Sequence, residues 1–227
     1  MRDYTAEKYI KLVENMDDNI LQSDMGEEKK IITNVQNSKN KTFVDIGAGY
    51  GRLLPLLSNI ARNVISIEIN PGMSNELMER TKKYDNARSI KGDIQGLSRL
   101  LVNEDIKNPV LLLLQNTLGA VEGDYKTVLA EMKLVAKKYD GEVIISLFLK
   151  ESLLEWGVND LYVKAREMVG ECDLKKTDFD KGVFMSKTGY SSKWWSLEEI
   201  TDIRDSFGGK IINEVITPQF YIFHIKA

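Results

Sequence analysis

Cysteine occurs once in this sequence, as Cys172, and histidine once, as His224. A single cysteine excludes an intrachain disulfide and a cysteine-only zinc site, and no metal site is expected. Prolines number four and the aromatics are spread along the chain, so nothing reads as bulk disorder. No run of about 18 apolar residues exists, so no segment reads as membrane-spanning. The opening stretch, MRDYTAEKY, has no apolar signal segment, and the expected location is the cytoplasm. An excess of basic residues is also missing: 31 Lys and Arg face 34 Asp and Glu, for a net charge of −3. That balance disfavours a surface devoted to a nucleic-acid backbone. The pairs Lys29-Lys30 and Lys175-Lys176 read as solvated surface.

What is present is a globular composition, 43% hydrophobic and 29% charged, over 227 residues. That suits one domain, 1–227, with room for an insertion. Apolar positions Tyr9, Leu12, Val13, Met16, Ile20 and Leu21 have helical spacing over 4–21, and a second helix is expected over 26–36. Together these form an N-terminal helical cap, 1–36. Strands are expected at 41–46, 64–69, 89–91, 109–115 and 141–149, with helices at 52–60, 71–85 and 124–139. This alternation predicts an α/β, Rossmann-like, mostly parallel seven-stranded sheet with helices on both faces. Residues 151–193 break the rhythm and read as an inserted lid-like segment, helical over 152–169. Ser196 and Glu199 form a capping box for the last helix. Strands at 210–217 and 219–225 finish the chain and supply the antiparallel strand.

Val44-Asp45-Ile46-Gly47-Ala48-Gly49-Tyr50-Gly51-Arg52 follows the first buried strand and opens a helix. Glycines let the backbone turn tightly and approach a ligand, and the helix start offers unpaired N–H groups. Glu68 ends the next strand about 20 residues on, where an acid can hold both hydroxyls of a ribose. The GxGxG spacing differs from the dinucleotide GxGxxG, and no GxxxxGK[ST] is present. Both absences argue against a nicotinamide enzyme and an ATPase.

On these residues the chain resembles the class I S-adenosylmethionine-dependent methyltransferases over roughly 40–150. The resemblance implies S-adenosyl-L-methionine as cofactor. Asp45 and the backbone of Gly47, Ala48, Gly49 and Gly51 would face its methionine part. Glu68 would hold the ribose and Ile69 would pack on the adenine. Gly92-Asp93-Ile94 looks like the segment where an acid meets the adenine amino group, with Ile94 over the ring. Gln115-Asn116-Thr117-Leu118-Gly119 resembles the end of the fourth strand, with Gln115 and Asn116 beside the cofactor and the transferred methyl. The Asn/Asp-Pro-Pro-Tyr motif of base-amino methyltransferases is missing there, which disfavours that class.

The expected reaction is direct methyl transfer to an O or N atom of a small molecule, with nucleic acid disfavoured as a partner and a homo-oligomer left open. The alternatives are a protein, peptide or RNA methyltransferase, or a non-catalytic cofactor-binding regulatory subunit. Asn116 and Glu151 are the candidate catalytic residues. Glu151 follows the fifth strand and could act as a base, or serve only as a first-turn acid of its helix. Tyr9, Trp156, Tyr190 and Trp194 are the candidate substrate-binding aromatics. His224 lies in an apolar strand and reads as structural or surface.

Overall fold

The five residues TFVDI form strand β1, Thr42–Ile46, and each of them is buried. Such a strand must be covered on both faces. The structure, a computed structural model, describes residues 7, 9, 10, 13, 16 and 18–227. Strand β1 pairs in parallel with β2, Asn63–Glu68, on one side and with β4, Val110–Leu113, on the other. Strands β3, Ala87–Lys91, and β5, Glu142–Phe148, extend the two wings in parallel. A hairpin of β6, Val183–Met185, and β7, Ser191–Lys193, forms a separate sheet. Strand β9, Phe220–Lys226, then runs antiparallel to both β5 and the edge strand β8, Lys210–Ile216. The main sheet is therefore seven-stranded, in the order β3-β2-β1-β4-β5-β9-β8.

Successive side chains of a strand point to opposite faces. Phe43, Val110 and Leu112 accordingly join one apolar cluster with Leu54 and Leu57 of α2, Leu54–Ile60, and Ile31 and Ile32 of α1, Asn19–Thr33. Val44, Leu111 and Leu113 join the opposite cluster with Val128 and Met132 of α4, Tyr125–Lys138. Helix α3, Pro71–Thr81, starts on an Asn70 cap, and α5, Leu197–Asp205, starts on the capping box of Ser196 and Glu199. Each fully buried Leu, Ile or Phe in these clusters contributes about 1.5–3 kcal/mol of burial free energy. Strand order reverses between β1 and β4, so the crevice for a ligand opens at their carboxyl ends.

Two local expectations differ. The boundary between the two expected N-terminal helices shifts: Glu7, Tyr9, Ile10 and Val13 are helical, and α1 then begins at Asn19, because Asp18 caps it by accepting from the backbone N–H groups of Ile20 and Leu21. Of the N-terminal pattern, Leu12 lies outside the described residues. The expected helix over 152–169 is broken into a π-helical stretch, Leu153–Leu161, and short turns. There the Trp194 ring lies against Gly157, where a Cβ would meet it at 2.9 Å. Ser191 and Ser192, within the inserted segment, lie in strand β7. Among the described residues, no helix is long and apolar enough to cross a membrane.

His224 sits at the amino ends of the parallel strands. Its Nε2 lies 2.9 Å from Glu142, whose other oxygen takes Lys41. Burial alone would raise the Glu142 carboxyl, but hydrogen bonds from His224 and Lys41, with the Lys41 charge, hold it below the ordinary value. An acid depressed in the folded state stabilises above its unfolded pKa and loses that contribution as pH falls through the folded one. Glu142→Gln should therefore cost about 1–3 kcal/mol at pH 7 in denaturant unfolding and progressively less in acid. A cost that does not change with pH would contradict this linkage.

Candidate active site

A cavity of about 1000 Å³ opens at the carboxyl ends of β1, β2 and β4. Its floor is the glycine loop. Gly47 and Gly49 have φ of +72° and +58°, the left-handed region that favours glycine. A Cβ on Gly47 would meet Thr117 Cγ2 at 2.6 Å, whereas one on Gly49 would meet nothing within 4 Å. Gly49 thus leaves a bare backbone surface on the cavity. Its N–H donates to Glu68 at 2.8 Å, and the other Glu68 oxygen accepts from the N–H groups of Ile69 and Asn70. Three backbone donors therefore fix a buried carboxylate on the cavity wall.

Asp45 and Arg52 lie at the two ends of the loop, and both line the cavity. Burial pushes the Asp45 carboxyl up to about 7; the Arg52 charge opposes this, while Glu28 and Glu68 add to it. No hydrogen bond is made by the Asp45 side chain among the described residues. Arg52 Nη2 donates to Glu28 at 3.0 Å, but its Nη1 is buried with no partner. An unmade buried hydrogen bond costs about 1–3 kcal/mol. A free carboxylate near an unpartnered guanidinium nitrogen suits the ammonium and carboxylate of an amino-acid head group. With Glu68 for ribose hydroxyls and Ile69, Asp93 and Ile94 along the same wall, these residues fit S-adenosylmethionine.

At the end of β4 the chain turns through two left-handed non-glycine residues, Gln115 at φ +52° and Asn116 at φ +54°. Such backbone is uncommon for side-chain-bearing residues and must be held in place. Glu28 accepts from the Gln115 N–H, and the Asn116 N–H donates to the Ser146 carbonyl, both at 3.0 Å. The Asn116 side chain is engaged at both ends. Its oxygen accepts from the Trp195 indole at 3.0 Å and from the Phe148 N–H, and its nitrogen donates to Ser192 and the Lys193 carbonyl. Asn116 lines the cavity, but these bonds make it the anchor of β7 and of Trp195 rather than a free polar group.

The remaining expectations divide. Tyr9 and Tyr190 line the cavity, as do Gly47, Ala48 and Gln115. Gly51 does not; a Cβ there would meet Leu54 Cδ1 at 2.6 Å, so its role is close packing. Glu151 is exposed and away from the cavity wall, so the structure gives it no access to a reacting group. Trp156 and Trp194 are buried in the core, with their indole N–H groups on Asp18 and on the Tyr162 hydroxyl. Their apolar bulk serves packing beneath the cavity. His224 is at the opposite edge of the sheet. The acids Asp24 and Glu28 were missed as site residues, because in sequence they are ordinary polar positions of an amphipathic helix.

The family model for ribosomal RNA adenine dimethylase matches residues 18–112. Probable ribosomal RNA small subunit methyltransferase A of Methanosarcina acetivorans is 34% identical over 70 residues, 31% of this chain and 26% of that protein. Ribosomal RNA small subunit methyltransferase A of Syntrophus aciditrophicus is 35% identical over 72 residues, 32% of this chain and 26% of that protein. The chain thus matches about a quarter of the length of these curated relatives. The crystal structure of a SAM-dependent methyltransferase from Aquifex aeolicus has a TM-score of 0.59 at 16% identity, covering 98% of each chain. These matches overturn two expectations, the small-molecule acceptor and the disfavoured nucleic acid. Net charge averages over the whole surface and says little about one face. The strand-end motif that weighed against base methylation lies at 115–118, beyond the matched residues. The fold is that of the class I, Rossmann-like S-adenosylmethionine-dependent methyltransferases.

Proposed function

We propose that this protein is an S-adenosylmethionine-dependent RNA methyltransferase, with adenine of small-subunit ribosomal RNA as the acceptor. The observation that carries this reading is the match of residues 18–112 to the ribosomal RNA adenine dimethylase model. That stretch contains Asp45, Arg52, Glu68 and Asp93, all on the cavity wall. When bound, S-adenosylmethionine supplies an electrophilic methyl carbon. Asp45 would hold the ammonium, Arg52 the carboxylate and Glu68 the ribose, which leaves positioning as the main task of the protein. Tyr9, Tyr50, Phe148 and Tyr190 give the cavity aromatic walls suited to a planar base drawn out of its stack. Residues 1–36 and 151–193 would cover that acceptor side. The Gln115–Asn116 turn lines the same cavity.

Calorimetry should give saturable S-adenosylmethionine binding, weakened about tenfold or more by Glu68→Ala. Unchanged affinity in that variant would remove the ribose assignment. Asp45 must be ionised to take an ammonium, and its carboxyl titrates at about 7. From pH 6 to 7 its ionised fraction, and with it the affinity, should rise about fivefold. Asp45→Asn should bind more weakly and lose this slope; a variant that keeps the slope would exclude Asp45 as its source. With labelled cofactor, label is expected in small-subunit ribosomal RNA, with methylated adenine found after digestion. Label confined to metabolites or peptides, or no transfer by a protein that binds the cofactor, would overturn the reading.

A further inference from the structure

Two indoles set the direction of a hydrogen-bond chain in the cavity wall. An indole N–H and a backbone N–H can only donate. The Asn116 side-chain oxygen accepts from the Trp195 indole and the Phe148 N–H, so the opposite end of that amide is its nitrogen. That nitrogen donates to Ser192 Oγ at 3.3 Å. From the other side, the Trp194 indole donates to the Tyr162 hydroxyl at 2.9 Å, and Tyr162 shares a further hydrogen bond with Ser192. The Tyr162 oxygen accepts from Trp194, so the proton of this buried hydroxyl goes to Ser192. A serine hydroxyl has one proton and two lone pairs. Both lone pairs of Ser192 thus receive donors, and its own proton has no acceptor among the described residues. Ser192 is 3% exposed and lines the cavity. A buried donor needs a partner, and the cavity is the side from which one can come. The Thr117 hydroxyl, also on the cavity, is spent differently, on the Leu114 carbonyl at 2.6 Å.

We infer that Ser192 donates its hydroxyl proton to a ring nitrogen of the acceptor base, and that Tyr162 is the positioning residue that turns it there. This inference rests on the RNA-adenine reading above. Ser192 stands on β7, in the segment that covers the acceptor side on that reading, whereas Asp45, Glu68 and Asp93 stand at the strand ends assigned to the cofactor. A hydroxyl donor selects an acceptor atom. An aromatic ring nitrogen with a lone pair in the ring plane satisfies it, and a C–H in the same place leaves it unpaired. Adenine carries two such nitrogens, N1 and N7, one on each edge flanking the exocyclic amine. A site built to make a hydrogen bond rejects the analogue that lacks the partner more strongly than an apolar pocket does. Ser192 contributes base selection, and the Trp194–Tyr162 pair keeps its proton from turning back into the protein.

The test uses the protein loaded with S-adenosylhomocysteine and a short single-stranded RNA carrying adenosine, 1-deazaadenosine or 7-deazaadenosine at one position. Each analogue replaces one ring nitrogen by C–H and keeps the amine. The wild-type protein should bind the adenosine RNA about tenfold more tightly than at least one of the two analogues. Ser192→Ala should bind all three RNAs alike, and Ser192→Thr, which keeps a hydroxyl, should restore the preference. Tyr162→Phe should narrow the preference, a change that lost packing alone would not produce. A cooperative thermal transition in each variant reports that it folds. Equal binding of all three RNAs by the wild type, or an unaltered preference in Ser192→Ala, overturns the inference and leaves the RNA reading standing. A full preference in Tyr162→Phe overturns the positioning role of Tyr162. Binding of none of the RNAs by the loaded wild type defeats the RNA reading, and the inference with it.

Discussion

The carboxylate of Glu28 joins the parts of the site. It leaves α1 and is fully buried, one oxygen on Arg52 and the other on the Gln115 N–H. Arg52 belongs to the glycine loop after β1, and Gln115 to the turn after β4. Those two strands flank the crevice, and the sheet alone fixes only their spacing. Glu28 ties the loops at their ends to each other and to the N-terminal helix. A buried ion pair contributes little net stability when compared with apolar packing, but removing one partner is strongly destabilising. Its effect here is one of geometry, since the guanidinium is held with one nitrogen paired and the other turned free in the cavity wall.

The α/β core was legible in the sequence because it depends on short-range pattern. TFVDI, NVISIE and VLLL are apolar runs of strand length bounded by turns, and glycines with Glu68 mark the carboxyl edge. Asp45, Gly47, Gly49 and Glu68, which line the cavity, could be named because their places follow from offsets along one β-α-β unit. The segments outside that unit were harder. Trp156 and Trp194 are large and flank the core in sequence, which fits a pocket wall and a buried prop equally well. Only the tertiary placement of Asp18 and Tyr162 under their N–H groups decides for the prop. Asn116 was legible as a residue of the carboxyl edge, where it lines the cavity, but its partners come from β7 and Trp195, more than 70 positions away.

The strand-end motif gives a more specific lesson. A missing proline-proline-tyrosine disfavours base methylation on sequence alone, but proline is only one way to build a rigid turn. Here the turn is rigid for other reasons. Two left-handed residues are fixed by Glu28, Ser146, Trp195 and the hairpin strand β7, and none of these constraints is local. Proline restricts the chain covalently, whereas buried hydrogen bonds restrict it through tertiary structure. Sequence reading detects the first kind of rigidity and misses the second.

The charge of the site extends the same reasoning. Asp24, Glu28, Asp45 and Glu68 are all buried around one half-buried arginine, Arg52. The fold accommodates this surplus by unequal means. Glu68 has three backbone N–H groups and Glu28 has Arg52 and Gln115. Burial, with the Glu28 charge added, raises the Asp24 carboxyl well above its ordinary value, and burial raises that of Asp45 to about 7. What remains is a site with a standing deficit of positive charge. On the proposed reaction, a sulfonium-bearing donor relieves that deficit, and the thioether left after transfer has lost one of the charges the field attracts. The same acids that favour the donor thus hold its product less tightly.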